Sequence, residues 1–397
     1  MSKLLVTRLD GRIVSAVWDG NAVIQLSRSG DTSRSRDASN AGGTGSGNGS
    51  RAAVVGDIYL GRVKNLAKNI QAAFIEIGGG QVCYCNLEKG ERVRPGEEFP
   101  VQVTREAVKT KDAVVSRRLS LPGKYVVLTE NGGRVAVSGK ITAKKRREAL
   151  QELLRPLCQG EAGFILRTNS EEAGEEEICR EAQRLRDRWQ RLREQAPFRT
   201  CFSRLAAGEP DYLKLMQDLP ARELEAIVTD QPDLFQEAAS YLEENQPEDR
   251  EKLRLYEDSL LPLPKLYSLE TAWERALQKR VWLKSGGYLV IEPTEALTVI
   301  DVNTGKYDGR KNREETFFQI NREAAREVAF QLRLRNLSGI ILVDFIDMEA
   351  EEKREALLRE LEECLRRDPI KTVLVDITKL NLVEITRKKI RRPLYEQ

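Results

Sequence analysis

The sequence predicts a multidomain α/β protein, and three observations carry that expectation. Residues 286–348 read as a β-hairpin (288–292 and 297–301), a helix from about 312 to 336, and an apolar run, Gly339-Ile-Ile-Leu-Val-Asp344. Residues 53–118 are short strands broken by Gly78–Gly80 and Pro95-Gly96. Residues 1–26 alternate apolar and polar positions around two Asp-Gly turns, a meander too small to stand alone that must add to a later sheet.

Taken in order, the meander is followed by residues 27–51, rich in Ser, Gly and Asn. They read as a flexible linker, and Arg28, Arg34, Arg36 and Arg51 leave a basic tether as the alternative. The short strands of 53–118 suggest an OB barrel, which binds single strands by stacking and charge. Phe74 and Tyr84 are its candidate platforms, although Phe74 lies in an apolar run and reads equally as core. Lys64, Lys68, Arg105, Lys109 and Lys111 are candidate phosphate contacts. A strand near 124–128, a helix over 142–154 and a strand over 163–166 follow. That strand ends in Arg167-Thr168, a pair suited either to a terminal phosphate or to a surface ion pair. Residues 171–195 form a charged helix, 196–261 mix strand and helix patterns, and 268–279 form a helix leading into the core. Beyond 348 come a helix over 350–367, a strand over 372–377 and a helix over 380–392, very basic from Arg387 to Arg392.

The strand–helix–strand unit makes its two outer strands parallel and brings their carboxyl ends to one edge, where open α/β sheets bind ligands. The all-apolar third strand reads as central and buried on both faces. Asp301 and Asp344 should then face one crevice. Two carboxylates together call for a cation, and oxygen ligands suit Mg²⁺ or Mn²⁺. Asn303 adds an amide, the loop from Gly305 to Arg313 adds positive charge, and Asp347 is a reserve ligand or a solvated carboxylate. The chemistry this suggests is phosphate-ester hydrolysis by a metal-activated water.

Composition narrows the field. With no histidine among 397 residues, histidine acid–base catalysis, serine triads and most zinc enzymes are excluded. A net charge of only +3 leaves nucleic-acid binding to local patches. The six cysteines, none with CxxC spacing, read as reduced thiols. Neither a leader-like opening nor a run long enough for a membrane span is evident, so a cytoplasmic location is expected.

Three long motifs, Val281-Trp-Leu-Lys-Ser-Gly-Gly-Tyr-Leu-Val-Ile291, Glu295-Ala-Leu-Thr-Val-Ile-Asp-Val-Asn-Thr-Gly305 and Ile341-Leu-Val-Asp-Phe-Ile-Asp-Met348, resemble the catalytic core of the ribonuclease E/G family, and the similarity runs over almost the whole chain. The resemblance implies an RNase H-like subdomain (1–26 and 196–279), a linker (27–51), an inserted OB-fold RNA-binding domain (52–118), a 5′-sensor region (119–195) and a DNase I-like catalytic subdomain (280–397). It implies a Mg²⁺-dependent endoribonuclease that cuts single-stranded RNA and leaves a 5′-phosphate. Asp301 and Asp344 would hold the metal, and Asn303 would assist at the scissile phosphate. Phe74, Tyr84 and Lys111 would press RNA toward it. Gly123, Val127, Arg167 and Thr168 would line the 5′-monophosphate pocket with Lys371, where the family has arginine. The family's CPxC zinc link is absent from these residues, so no zinc is expected within the chain, and a homodimer or higher homo-oligomer stays open. The alternative readings are a non-catalytic RNA-binding assembly factor and a DNA nuclease.

Overall fold

The computed structural model describes residues 1–29, 53–88, 90–107, 112–158, 160–220, 222–305 and 313–397, and only the backbone of Lys68. Among these, 1–29, 222–240 and 248–397 form one compact unit, and 53–220 with 241–247 form another. Most of the expected linker, Arg34, Arg36 and Arg51 included, lies outside the described residues, as do Lys109, Lys111 and the basic loop 306–312.

The N-terminal meander forms strands β1 (Ser2–Leu9), β2 (Arg12–Trp18) and β3 (Val23–Ser29), paired antiparallel in sequence. Arg28 lies on β3 and pairs with Asp10 at 3.2 Å.

In the other unit, β4 (Ile58–Ala67), β5 (Ala72–Glu76), β6 (Val82–Asn86), β7 (Glu98–Arg105) and β8 (Val114–Ser116) form a closed five-stranded barrel. The order runs β4-β5-β6-β8-β7, and β7 returns to β4. Alternation makes its core: Val63, Ile75, Cys83, Cys85, Val101, Val103 and Val115 point inward. Closure needs Gly61, because an added Cβ would lie 2.6 Å from Ile75 and 3.0 Å from Val101. After the barrel, β9 (Ser120–Pro122), β10 (Val126–Glu130), β11 (Val135–Val137) and β12 (Ala162–Leu166) make a four-stranded sheet. Helices α1 (Lys144–Leu154) and α2 (Glu175–Gln195) pack on it through Leu150, Leu154, Ile178, Ala182 and Leu185. Strand β13 (Arg204–Ala206) pairs with β4, and helix α3 (Asp211–Asp218) follows.

Back in the first unit, β14 (Leu224–Thr229) and β15 (Leu253–Leu255) complete the meander's sheet, in order β15-β14-β1-β2-β3 with β1, β14 and β15 parallel. Helix α4 (Leu269–Leu277) packs into that sheet's core. The remaining strands are β16 (Arg280–Trp282), β17 (Tyr288–Pro293), β18 (Leu297–Asn303), β19 (Gly339–Asp344), β20 (Thr372–Ile377) and β21 (Val383–Arg387), ordered β16-β17-β18-β19-β21-β20. Only β18 and β19 are parallel neighbours, joined by helix α5 (Arg313–Leu334). Helix α6 (Glu351–Arg366) lies beside α5.

Two expectations are corrected here. Strand β19 is buried on one face only: Ile341 and Val343 are fully buried, whereas Ile340 is 50% exposed. Both α5 and α6 pack on the same side, through Ile320, Ala324, Val328, Leu357 and Leu361, and an apolar run cannot distinguish one covered face from two. The expected helix over 380–392 is instead strand β21. Val383, Ile385 and Thr386 are β-branched, the strand pairs with both β19 and β20, and Arg387 turns inward. Its side chain is 2% exposed and donates from Nε to Asp368 at 2.7 Å and from Nη1 to Asn336 Oδ1 at 2.7 Å.

Candidate active site

The register of β18 on β19 sets Asp301 directly opposite Asp344 at the carboxyl ends of two parallel strands. Alternation does the rest. Ile300 and Val302 go into the core, so Asp301 and Asn303 emerge on the face that α5 and α6 leave uncovered, as Asp344 does after Val343. Asn303 Nδ2 donates to Asp301 Oδ2 at 2.6 Å, which fixes that carboxylate and leaves the other amide N–H free to donate elsewhere. Partial burial and the nearby negative charges of Asp301 and Asp347 push the Asp344 pKa up. Asp347 is exposed and reached by Asn381 Nδ2 at 3.5 Å.

The surrounding backbone is pinned. Asn321, fully buried on α5, donates to Ile346 O at 2.8 Å and accepts from Ile346 N at 3.0 Å, which holds the loop between Asp344 and Asp347. Glu323 accepts from the Lys284 and Ser285 amides. The Ser-Gly-Gly and Asn-Thr-Gly motifs are steric requirements: a Cβ on Gly287 would lie 2.8 Å from Asn303 O, and one on Gly305 would lie 2.0 Å from Gly286 O. No group of three or more His, Cys, Asp or Glu side chains converges as a metal site among the described residues. The Asp301–Asp344 pair still has the right chemistry, since crowded like charges are what a divalent cation relieves, and Mg²⁺ commonly takes one or two carboxylates and keeps its waters.

The barrel carries the second set of candidate residues. Phe74 and Tyr84 are directly opposed on β5 and β6, and their rings meet edge to face at 6.2 Å. Both side chains are partly exposed, whereas their neighbours Ala73, Ile75, Cys83 and Cys85 fill the core, so Phe74 belongs to the outer face. Lys64 approaches Glu76 at 3.8 Å; Arg105 is exposed. Lys111 lies outside the described residues.

In the same unit, Gly123 precedes β10, Val127 lies on β10, and Arg167 and Thr168 follow β12, which pairs with β10. Arg167 Nη1 donates to Gly123 O at 2.6 Å, and its Nη2 pairs with Asp218. The Thr168 hydroxyl lies 3.3 Å from that of Ser138. Beneath Gly123, the buried Glu181 carboxylate accepts N–H bonds from Lys124 (2.9 Å), Tyr125 (2.8 Å) and Val126 (2.8 Å). Burial pushes its pKa up against the pull of those donors. Sequence reasoning missed Glu181, Asp218 and Ser138. Glu181 had a signal, a charge on the stripe Ile178, Ala182, Leu185 that α2 turns inward. Lys371, in the first unit, is exposed.

Residues 120–390 match the Ribonuclease E/G family. The chain is 38% identical over 363 residues to Ribonuclease G of Haemophilus influenzae, covering 86% of this chain and 74% of that one. The chain belongs to the ribonuclease E/G family. Ribonuclease G of Escherichia coli K12 is 34% identical over 365 residues, covering 87% of this chain and 74% of its own. Ribonuclease E of Synechocystis is 34% identical over 367 residues, which cover 86% of this chain and 53% of that protein. As a member of the ribonuclease E/G family the protein is an endoribonuclease, a hydrolase of RNA processing and decay, in a family that generally uses a divalent metal. No described helix is long and apolar enough to cross a membrane.

Proposed function

We propose that the protein hydrolyses phosphodiester bonds in single-stranded RNA, leaves a 5′-phosphate on the downstream fragment, and prefers RNA with a 5′-monophosphate. The observation that carries this reading is the Asp301–Asp344 pair, opposed across parallel strands on an uncovered sheet face. In this reading Asp301 and Asp344 would hold Mg²⁺, or Mn²⁺ in its place. When bound, the ion supplies Lewis-acid polarisation of the phosphate and activation of the attacking water. Asn303 orients the Asp301 carboxylate through one amide N–H and offers the other to an oxygen of the scissile phosphate. Phe74, Tyr84 and Lys111 bind the single strand by stacking and charge. Arg167 and Thr168, with Gly123 and Val127, receive the 5′-phosphate. The guanidinium is aimed by Gly123 O and balanced by Asp218, an arrangement in which an incoming phosphate competes with one carboxylate. The two sheets of the first unit are read as RNase H-like and DNase I-like, the former supported by its order β15-β14-β1-β2-β3.

Incubation of a 5′-monophosphorylated single-stranded oligomer with and without Mg²⁺ tests the assignment. Cleavage should need the ion and fall by at least about 100-fold in Asp301→Asn and in Asp344→Asn, the scale of losing an electrostatic element of catalysis. Undiminished cutting by either variant refutes it. RNA binding without cleavage by the parent protein would instead mark an RNA-binding assembly factor, and faster cutting of the matched DNA strand would mark a DNA nuclease.

A further inference from the structure

The uncovered face that carries Asp301, Asn303 and Asp344 continues across the sheet to its edge. Register places Trp282 opposite Tyr288 and Tyr288 opposite Asn303, and places Arg280 opposite Val290 and Val290 opposite Asp301. Directly opposed residues share a face, so two neighbouring rows of side chains cross from β16 through β17, Arg280 and Val290 leading to Asp301, and Trp282 and Tyr288 leading to Asn303. With strands about 4.8 Å apart, Tyr288 lies about 5 Å and Trp282 about 10 Å from Asn303 along the second row. The Trp282 and Tyr288 ring centroids are 5.2 Å apart, and the Arg280 guanidinium sits 5.6 Å from the first and 4.5 Å from the second. Trp282 is nevertheless 63% exposed.

We infer that Trp282, with Tyr288 and Arg280, is a stacking site for a nucleobase of the RNA strand, taken from a nucleotide adjoining the scissile phosphate. The chemistry fits a base better than an aliphatic group. An exposed indole edged by a guanidinium offers a π-face, and a cation beside it to meet the flanking phosphate. The contact is sequence-tolerant, because every base has such a face. It also supplies what the carboxylates lack, a grip on the neutral part of the substrate close to the bond to be cut. Which nucleotide is stacked rests on the proposed cleavage site; the stacking itself does not.

The test is a double-mutant cycle on binding. The Asp301→Asn protein, with Trp282 or with Trp282→Ala, is titrated with a short single-stranded RNA in which an abasic nucleotide is moved through each position. With Trp282 present, one position should show an affinity loss of roughly 5- to 100-fold on removal of the base, the worth of one stacked base. In Trp282→Ala the same removal should cost less than about 2-fold, and Trp282→Phe should restore most of the effect. Equal losses with and without Trp282 at every position, or no measurable RNA binding by the Trp282 protein, overturn the inference. If the cycle closes as expected while the unsubstituted enzyme cuts nothing, the stacking site stands and the nuclease reading falls. If cleavage depends on Asp301 and the cycle shows no coupling, the reverse holds.

Discussion

Glu181→Gln separates the framework of the proposed 5′-phosphate site from the residues proposed to bind the phosphate. The wild-type carboxylate accepts three backbone N–H bonds at 2.8–2.9 Å in a position 4% exposed. The amide keeps one acceptor oxygen and turns an NH₂ toward the other donors, so at least one buried N–H loses its partner. An unsatisfied buried donor costs about 1–3 kcal/mol, and bonds to a charged acceptor are roughly twice as strong as neutral ones, which puts the loss near 3 kcal/mol. The Gly123 Cα lies hard against the carboxylate, since a Cβ there would be 2.4 Å from Oε1, so loosening the carboxylate moves Gly123. Its carbonyl is what aims Arg167. Urea unfolding should therefore report the lost stability. At temperatures where both proteins are folded, the ratio of kcat/KM for 5′-monophosphorylated over 5′-hydroxyl RNA should fall toward unity. Cleavage of the 5′-hydroxyl substrate should change little. A loss near 3 kcal/mol with an unchanged ratio would refute the chain from Glu181 through Gly123 to Arg167. An unchanged stability would refute the hydrogen-bond account itself.

Two further outcomes follow from buried groups elsewhere. Arg387→Met should destabilise the protein by about 3–5 kcal/mol, because it breaks a buried ion pair with Asp368; a loss under about 1 kcal/mol in urea unfolding would refute a structural role for that pair. Burial pushes Cys83 up to about 12 and Cys85 up to about 11, so thiolate appears only as the pH climbs toward those values. At pH 8 the Cys83 thiolate fraction is on the order of 10⁻⁴, and native-state alkylation followed by peptide mapping should label both barrel thiols after Cys179; equal rates would place them outside the barrel core.

The Asp301–Asp344 pairing was legible in the sequence because topology forces it. A strand–helix–strand connection leaves two parallel strands ending at one edge, whatever the details of packing. The motif glycines were visible as residues but not as constraints, because the contacts they relieve, Gly287 with Asn303 O and Gly305 with Gly286 O, join segments that meet only in the folded chain. Asp218 had no local signal at all, since its partner Arg167 lies 51 residues away. The basic stretch from Arg387 misled for a different reason. The run reads as a basic helix, yet Val383, Ile385 and Arg387 share a face by strand alternation, and the first two commit the third to the core.

The same two-residue period sets which residues the β16–β20 sheet presents on its open face. Each apolar residue that β18 turns toward α5 forces its neighbour onto the open face: Ile300 exposes Asp301, and Val302 exposes Asn303. On β17, Leu289 does the same for Tyr288 and Val290. A one-residue slip in β18 would bury Asp301 and Asn303 and expose Ile300 and Val302 together. Folding energy and chemical competence are therefore coupled through register. Hydrophobic burial against α5 and α6 is the force that holds Asp301 opposite Asp344, and no separate interaction between the two like charges is needed to bring them there.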